Sequence, residues 1–127
     1  MAYSVNAMSL TGSSGLITVT GSDLDNRAGT SAVIVIDITT LTGTGPTATF
    51  AVQGKDPLSG KYYTILTTTA LAAVATTVLR VSPYGLTAAA NLTALDFLPV
   101  NWRVTCVQGG TAVTNLTCTV GAQLMSG

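Results

Sequence analysis

The sequence holds one cluster of carboxylate side chains, Asp23-Leu-Asp-Asn26. Aspartate and asparagine oxygens in near alternation on a loop are ligands that Ca²⁺ accepts. The cluster lacks the glycine and the distal glutamate of an EF-hand loop, and both residue types also favour turns through their own side-chain hydrogen bonds. We therefore interpret it as a turn beside which Arg27 pairs with an aspartate, and we predict no metal site and no cofactor.

Nucleophilic catalysis would need a general base, and this chain offers few. Serine and threonine hydroxyls depend on such a base to become nucleophiles, yet the sequence has no histidine and no glutamate. The bases that remain are Lys55, Lys61 and five aspartates. Neither lysine lies in an apolar run of the kind that activates a lysine. The sequence predicts no catalytic residues and a protein that is not an enzyme.

Two aspartates lie in apolar surroundings along the chain. Asp37 falls within the apolar run Ile34 to Ile38, and Asp96 precedes Phe97. A partly buried aspartate can mark a functional site. We favour the alternative that these carboxylates form structural ion pairs with Arg80 or Arg103.

The two cysteines, Cys106 and Cys118, are too few for a disulfide framework and have the wrong spacing for a zinc motif. Each lies two or four residues from apolar neighbours in its predicted strand and therefore on the same face as they do, so each should face the core. Pairing across Gly109-Gly110 would place the two thiols opposite each other on a closing hairpin. We favour two buried reduced thiols over a cross-strand disulfide.

Other possible binding motifs have simpler explanations. Asn91-Leu-Thr and Asn115-Leu-Thr match the glycosylation tripeptide, but chance matches are expected in a chain this rich in threonine. The aromatic residues form no evident stacking stripe, so we expect them to pack in the core. This expectation concerns five of the seven aromatic residues: Tyr62, Tyr63, Tyr84, Phe97 and Trp102.

Charge is scarce throughout the 127 residues: charged side chains make up 8 % of the chain and the net charge is zero. Soluble domains carry about a quarter charged residues. The missing basic patch argues against nucleic acid as a partner. No secretory signal is visible over Met1 to Leu10, and the most apolar stretch, Ala70 to Val81, is too short and too interrupted for a membrane helix. This composition is typical of a part that works within an assembly.

The apolar residues alternate with a period of two in short segments rich in Thr, Val and Ile, which predicts an all-β fold. Ile34, Ile36 and Ile38 should share one face of a central strand. A turn over Lys55 to Gly60 joins two strands into a hairpin. The predicted strands are Leu16 to Thr20, Ala32 to Thr39, Thr47 to Gln53, Lys61 to Leu66, Thr76 to Ser82, Asn101 to Gln108 and Asn115 to Ala122.

The alternation fails between Tyr84 and Pro99, which we interpret as a long crossing connection. Such a connection is required by an antiparallel two-sheet β-sandwich of the jelly-roll or Greek-key kind. The predicted sandwich domain covers residues 16–127. Residues 1–15 lack a strong pattern, and we interpret them as an extended N-terminal arm that orders against a neighbour.

Five linked segments share a pattern with a known family: Gly45 to Asp56, Tyr62 to Leu66, Thr77 to Pro83, Leu98 to Val104 and Gly109-Gly-Thr. They resemble small structural proteins of tailed-bacteriophage virions, specifically head decoration or minor capsid proteins. The resemblance covers about the C-terminal two thirds of the chain and includes no catalytic signature. It implies a cementing role on the capsid surface of the virion, with the major capsid protein as partner and a homotrimer seated where capsomers meet. A tail-tube, fibre or baseplate module is the alternative, followed by a ligand-binding or enzymatic sandwich.

Overall fold

The computed structural model describes residues 2–125, which form ten β-strands and no helix. The prediction of an all-β fold is confirmed. The strands are β1 (Ala2–Ser13), β2 (Thr18–Thr20), β3 (Leu24–Asp25), β4 (Ser31–Thr44), β5 (Thr47–Lys55), β6 (Tyr62–Thr67), β7 (Ala75–Val81), β8 (Thr93–Ala94), β9 (Asn101–Gly109) and β10 (Ala112–Met125).

The strands form two sheets, which pack around one shared core. The first sheet has the order β1-β10-β4-β7-β8, and the second has the order β2-β9-β5-β6, with β3 also paired to β9. All pairings are antiparallel except that of β7 with the short β8. The fold is therefore a β-sandwich-like arrangement of two mostly antiparallel sheets.

The same four lengths of chain run through both sheets in the same order. Four strands of the first sheet, all except β8, are each continuous along the chain with a strand of the second. Chain direction runs from the first sheet to the second for β1 into β2 and β4 into β5, and from the second to the first for β6 into β7 and β9 into β10. The two sheets are thus the two halves of one four-stranded ribbon that is folded over. We call the fold line, formed by residues 14–17, 45–46, 68–74 and 110–111, the folded end. The opposite end, with connections 21–30, 56–61 and 82–100, we call the open end.

Alternating side chains from both halves fill the core. The prediction that Ile34, Ile36 and Ile38 share one buried face is confirmed, and β4 lies centrally between β10 and β7. Phe50 and Trp102 bring the largest buried side chains from the second sheet. At about 25 cal/mol per Å² of apolar area, burial of this alternating set dominates the stability of a domain of this size.

All seven predicted strands are present with shifted ends, and the hairpin of β5 and β6 is confirmed. The connection between β7 and β9 does cross from the first sheet to the second. It is irregular apart from β8, whose two residues pair with Arg80 and Val81.

The predicted closing hairpin is wrong, because β9 and β10 belong to different sheets. Cys106 lies opposite Phe50 and Val19, whereas Cys118 lies opposite Ile38 and Leu10. Gly110 has a φ of 90° and carries the chain across the fold line. A Cβ atom there would collide with the carbonyl of Gly45, so the two crossing connections pack backbone against backbone.

The predicted N-terminal arm is not confirmed, since residues 2–13 form β1 and pair with β10 along its length. Ala7 and Met8 are both buried in the core. A Cβ atom on Gly21 would lie 2.8 Å from the Ala7 carbonyl oxygen, so β1 also closes against the second sheet. Removing residues 1–14 would therefore delete an outer strand and core side chains.

Candidate functional site

The predicted turn over Asp23-Leu-Asp-Asn26 is wrong in its position: Leu24–Asp25 form β3, which pairs with β9, and the turn follows at Arg27 and Ala28. The Asp25 carboxylate accepts the backbone N–H of Arg27 at 2.6 Å, and the Asn26 side chain accepts that of Ala28 at 3.1 Å. No group of three His, Cys, Asp or Glu side chains in residues 2–125 is placed to hold a metal ion. Arg27 does not pair with an aspartate as expected; its guanidinium lies 4.6 Å from the ring centre of Tyr3.

Asp23 instead belongs to a surface cluster that the sequence analysis missed. Its carboxylate accepts the Tyr62 hydroxyl at 2.7 Å and lies 3.1 Å from the Lys55 ammonium. The Arg103 guanidinium stacks on the Tyr62 ring at 3.4 Å and donates to Gln53 at 2.9 Å. These side chains come from β5, β6, β9 and the residues before β3, so only the strand register brings them together.

The charges in this cluster support one another. The hydrogen bonds from Tyr62 and Lys55 hold the pKa of the Asp23 carboxyl below its ordinary value, and the bond to Asp23 raises the pKa of Lys55. The cluster is solvent-exposed, so its ion pair adds little to stability. It ties the loop before β3 to the outer face of the second sheet.

The expected ion pairs of Asp37 and Asp96 with Arg80 or Arg103 are absent from residues 2–125. Asp37 is half-buried on β4 and accepts the Thr76 hydroxyl at 3.1 Å. Asp96 is exposed and accepts the backbone N–H of Phe97 at 2.8 Å. Neither carboxylate is enclosed, because each lies on the outside of its sheet or loop.

Both cysteines are buried and unbonded, which confirms the prediction of two reduced thiols in the core. Burial raises the pKa of Cys106 to about 12, and the proximity of Cys118 adds to the shift. Burial likewise raises the pKa of Cys118 to about 11. Neither thiol is therefore a candidate nucleophile at neutral pH.

The prediction that the aromatic residues pack in the core holds for Trp102 and is wrong for three others. Tyr63, Tyr84 and Phe97 are each about half-exposed. Tyr84 and Phe97 meet edge to face with ring centres 6.4 Å apart. Of the two glycosylation matches, Asn91 is exposed and donates to the Thr67 carbonyl at 2.8 Å, and Asn115 is half-buried.

The ten charged side chains are distributed very unevenly over the domain. Nine of them lie in the open-end connections or within three residues of them. The exception is Asp37, in the middle of β4. The four lengths of chain that build the folded end, residues 10–20, 38–51, 64–79 and 105–119, contain no charged residue. The folded end is therefore a continuous uncharged surface.

This uncharged surface is closed by backbone hydrogen bonds between its connections. Gly15 N–H donates to the Val113 carbonyl at 2.9 Å, and Gln108 N–H donates to the Ile17 carbonyl at 2.8 Å. Exposed threonine, alanine and glycine residues cover most of it. Four large apolar side chains are also exposed there: Leu16, Ile17, Val74 and Val107.

The open end is amphipathic and carries nine of the ten charged side chains next to most of the exposed apolar side chains. Seven of the twelve large hydrophobic side chains exposed within the described residues lie there. Most belong to the 82–100 connection. The seven are Leu58, Tyr63, Tyr84, Leu92, Leu95, Phe97 and Val100. The two ends thus offer chemically different surfaces for contact.

Comparison with known proteins adds no relative. No protein-family model matches the chain, and neither the curated proteins nor the solved structures contain a significant match. Within residues 2–125 there is no helix long and apolar enough to cross a membrane.

Proposed function

We propose that this protein is a virion structural protein, a decoration protein that binds the outer surface of a tailed-phage head and bridges neighbouring capsid subunits. Its partner is then the major capsid protein, and its place is the capsid surface of the virion. The observation that carries this proposal is the uncharged folded end, because a water-exposed surface of that extent normally bears charges.

An uncharged end suits a permanent contact. Burying a charged side chain without a partner costs several kcal/mol, whereas threonine hydroxyls and small apolar groups leave no stranded charge. A standard interface buries roughly 800 Å² per partner, and the same contact repeated over a shell multiplies its effect. A cementing protein gains most from such a surface.

The resemblance to head decoration proteins and the folded ribbon support the finer parts of the proposal. A ribbon that crosses from one sheet to the other at a single line is compatible with a jelly-roll or Greek-key sandwich. We propose a homotrimer, since the resemblance implies one and closed threefold symmetry matches the local threefold positions of a shell.

Two exposed leucines provide the test. Leu16 is 55 % exposed at the folded end, and Leu92 is 48 % exposed at the open end. We expect Leu16→Asp to weaken binding to heads that lack the protein by at least about 30-fold, because it buries a charge. Leu92→Asp serves as the matched control and should bind like the wild type. Co-sedimentation with such heads measures both, and equal binding by the two variants would contradict the proposal.

A tail-tube, fibre or baseplate module is the alternative, because an uncharged end would serve those assemblies equally well. Electron cryomicroscopy of intact particles separates the two. Density for this chain over the head surface supports decoration, and density confined to the tail refutes it.

A further inference from the structure

The open end carries a protruding leucine. Leu58 lies at the tip of the turn between β5 and β6, and its side chain is 96 % exposed, the highest value among the exposed large hydrophobic residues in the described part of the chain. A leucine in full contact with water contributes nothing to the fold of its own chain. Its whole side chain is therefore available for a contact outside the chain.

The turn that presents Leu58 is held rigidly. The Asp56 carboxylate accepts the backbone N–H groups of Leu58 and Ser59, both at 3.3 Å, and the Ser59 hydroxyl at 2.6 Å. The Asp56 carbonyl accepts the N–H of Gly60 at 2.9 Å, and the Asp56 N–H donates to Lys61 at 2.8 Å. A side chain on such a turn is ordered before it binds, which reduces the entropy lost on association.

A groove opens directly beside this turn. It has a volume of about 470 Å³, and its apolar walls are Pro57, Tyr63, Pro99 and Val100. A Cβ atom on Gly54 would lie 2.6 Å from both the Pro99 ring and the Tyr63 ring. The missing side chain at Gly54 therefore lets these two rings approach the backbone and fixes the shape of the groove.

We propose that a second copy of this chain occupies the groove, with Leu58 of each copy inserted into the groove of the other. Because the protruding leucine and the groove are adjacent, a twofold axis between two copies satisfies both at once. A buried aliphatic anchor in a pocket of this kind is the usual centre of an interface.

Around Leu58, the positive charges of one copy would face the negative charges of the other across that axis. Asp56 and Lys61 flank the turn with opposite signs, and Lys61 forms no ion pair within the described residues. A twofold contact brings Lys61 of one copy towards Asp56 of the other. Lys55, which also lines the groove, is already paired with Asp23 at 3.1 Å, and this pairing reduces its repulsion of Lys61 of the other copy.

This contact goes beyond the proposed function and does not depend on it. A reciprocal contact converts a monomer into a dimer, and it converts the proposed trimer into a hexamer when the twofold axes lie perpendicular to the threefold axis. Light scattering coupled to gel filtration of the full chain at about 100 μM, well above the Kd of a typical specific contact, measures the number of associated chains. We expect the wild type to have twice the mass of Leu58→Asp, with Leu92→Asp unchanged from the wild type.

A compensating variant tests the geometry. Val100→Lys alone should also halve the mass, and the double variant Leu58→Asp, Val100→Lys should restore it, since the new charges then meet across the axis. We expect Leu58→Asp to weaken the association by at least about 30-fold. A wild type with the same mass as Leu58→Asp, or a double variant that stays dissociated, would overturn the proposal.

Discussion

The folded end and the open end are built from the same four lengths of chain, yet different interactions hold them together. At the folded end the backbone closes on itself, and glycines let residues 45–46 and 110–111 touch. At the open end, longer connections are tied by side chains such as Asp23, Asn26 and Asp56. The side chains that complete the folded end are uncharged, such as Gln108, which donates to the Gly15 carbonyl at 2.9 Å, so its contacts need no charged residue.

The comparison predicts the largest effect for glycines with positive φ at the two ends. Gly110 has a φ of 90° and no room for a Cβ atom, whereas Gly60 has a φ of 74° and open space. Gly110→Ala should lower the free energy of unfolding by more than about 3 kcal/mol, because strain and backbone collision add. Gly60→Ala should cost about 1 kcal/mol through strain alone. Urea denaturation of both variants measures this, and similar costs would contradict the distinction between the ends.

Leucines at the two ends give the next largest difference. Leu116 of β10 is fully buried, while Leu58 is 96 % exposed. Leu116→Ala should lower the free energy of unfolding by about 3 kcal/mol through lost burial and a cavity. Leu58→Ala should change it by less than about 0.5 kcal/mol, since no contact within the chain is lost. Urea denaturation of both variants measures the two free energies of unfolding. The protein concentration should be low, so that association does not add to the measured stability.

The two buried thiols should make the folded end sensitive to alkaline pH, since Cys106 and Cys118 lie in the segment 105–119 that helps to build it. Cys106 has a pKa of about 12 and Cys118 of about 11, both raised from 9.0 by burial, so the unfolded chain releases their protons first. Stability should be complete below pH 9 and fall as the pH rises towards 11. At neutral pH a thiol reagent should label both cysteines only after unfolding. Rapid labelling of the folded protein would show that the core opens there.

Acid should produce the smallest effect, and only at the open end. Hydrogen bonds from Ser59 and the backbone lower the pKa of Asp56 below its ordinary value of 3.8. Hydrogen bonds from Tyr62 and Lys55 lower the pKa of Asp23 in the same way. The two carboxylates stabilise the fold fully above pH 3.8, and this stabilisation is lost as the pH falls through their lower pKa in the folded protein. The protection of the amides in residues 56–61, measured relative to their intrinsic exchange rate at each pH, should therefore fall in acid while residues 110–113 keep theirs. An equal loss of protection at both ends would contradict this.

Much of the fold could be predicted because alternation reports burial directly. Ala48, Phe50 and Val52 in β5 show the period of two without interruption, and all three are buried. The first strand escaped prediction because a bulge between Asn6 and Met8 shifts its phase, so adjacent residues Ala7 and Met8 both face inward. A shift of phase looks like the absence of a strand when only the sequence is visible.

The hairpin error has a different cause. A Gly-Gly link between two alternating segments predicts a tight hairpin equally well whether the chain turns back or crosses between sheets. Gly110 lies against Gly45, far away in the sequence, and that contact decides for the crossing. The surface cluster around Asp23 was likewise hidden, because Lys55, Tyr62 and Arg103 meet only once the register of three strands is known.

The sequence by itself determined the all-β class, the inward face of strands such as β4 and β5, the burial of the two cysteines and the scarcity of charge. These follow from residue type and period, which act over a few neighbouring positions. The tertiary structure alone decided that β1 joins the first sheet, that one ribbon folds into two sheets, and that the uncharged segments gather at one end. Those outcomes depend on pairing between residues distant in the chain, and such pairing is set by the competition among all strands for partners.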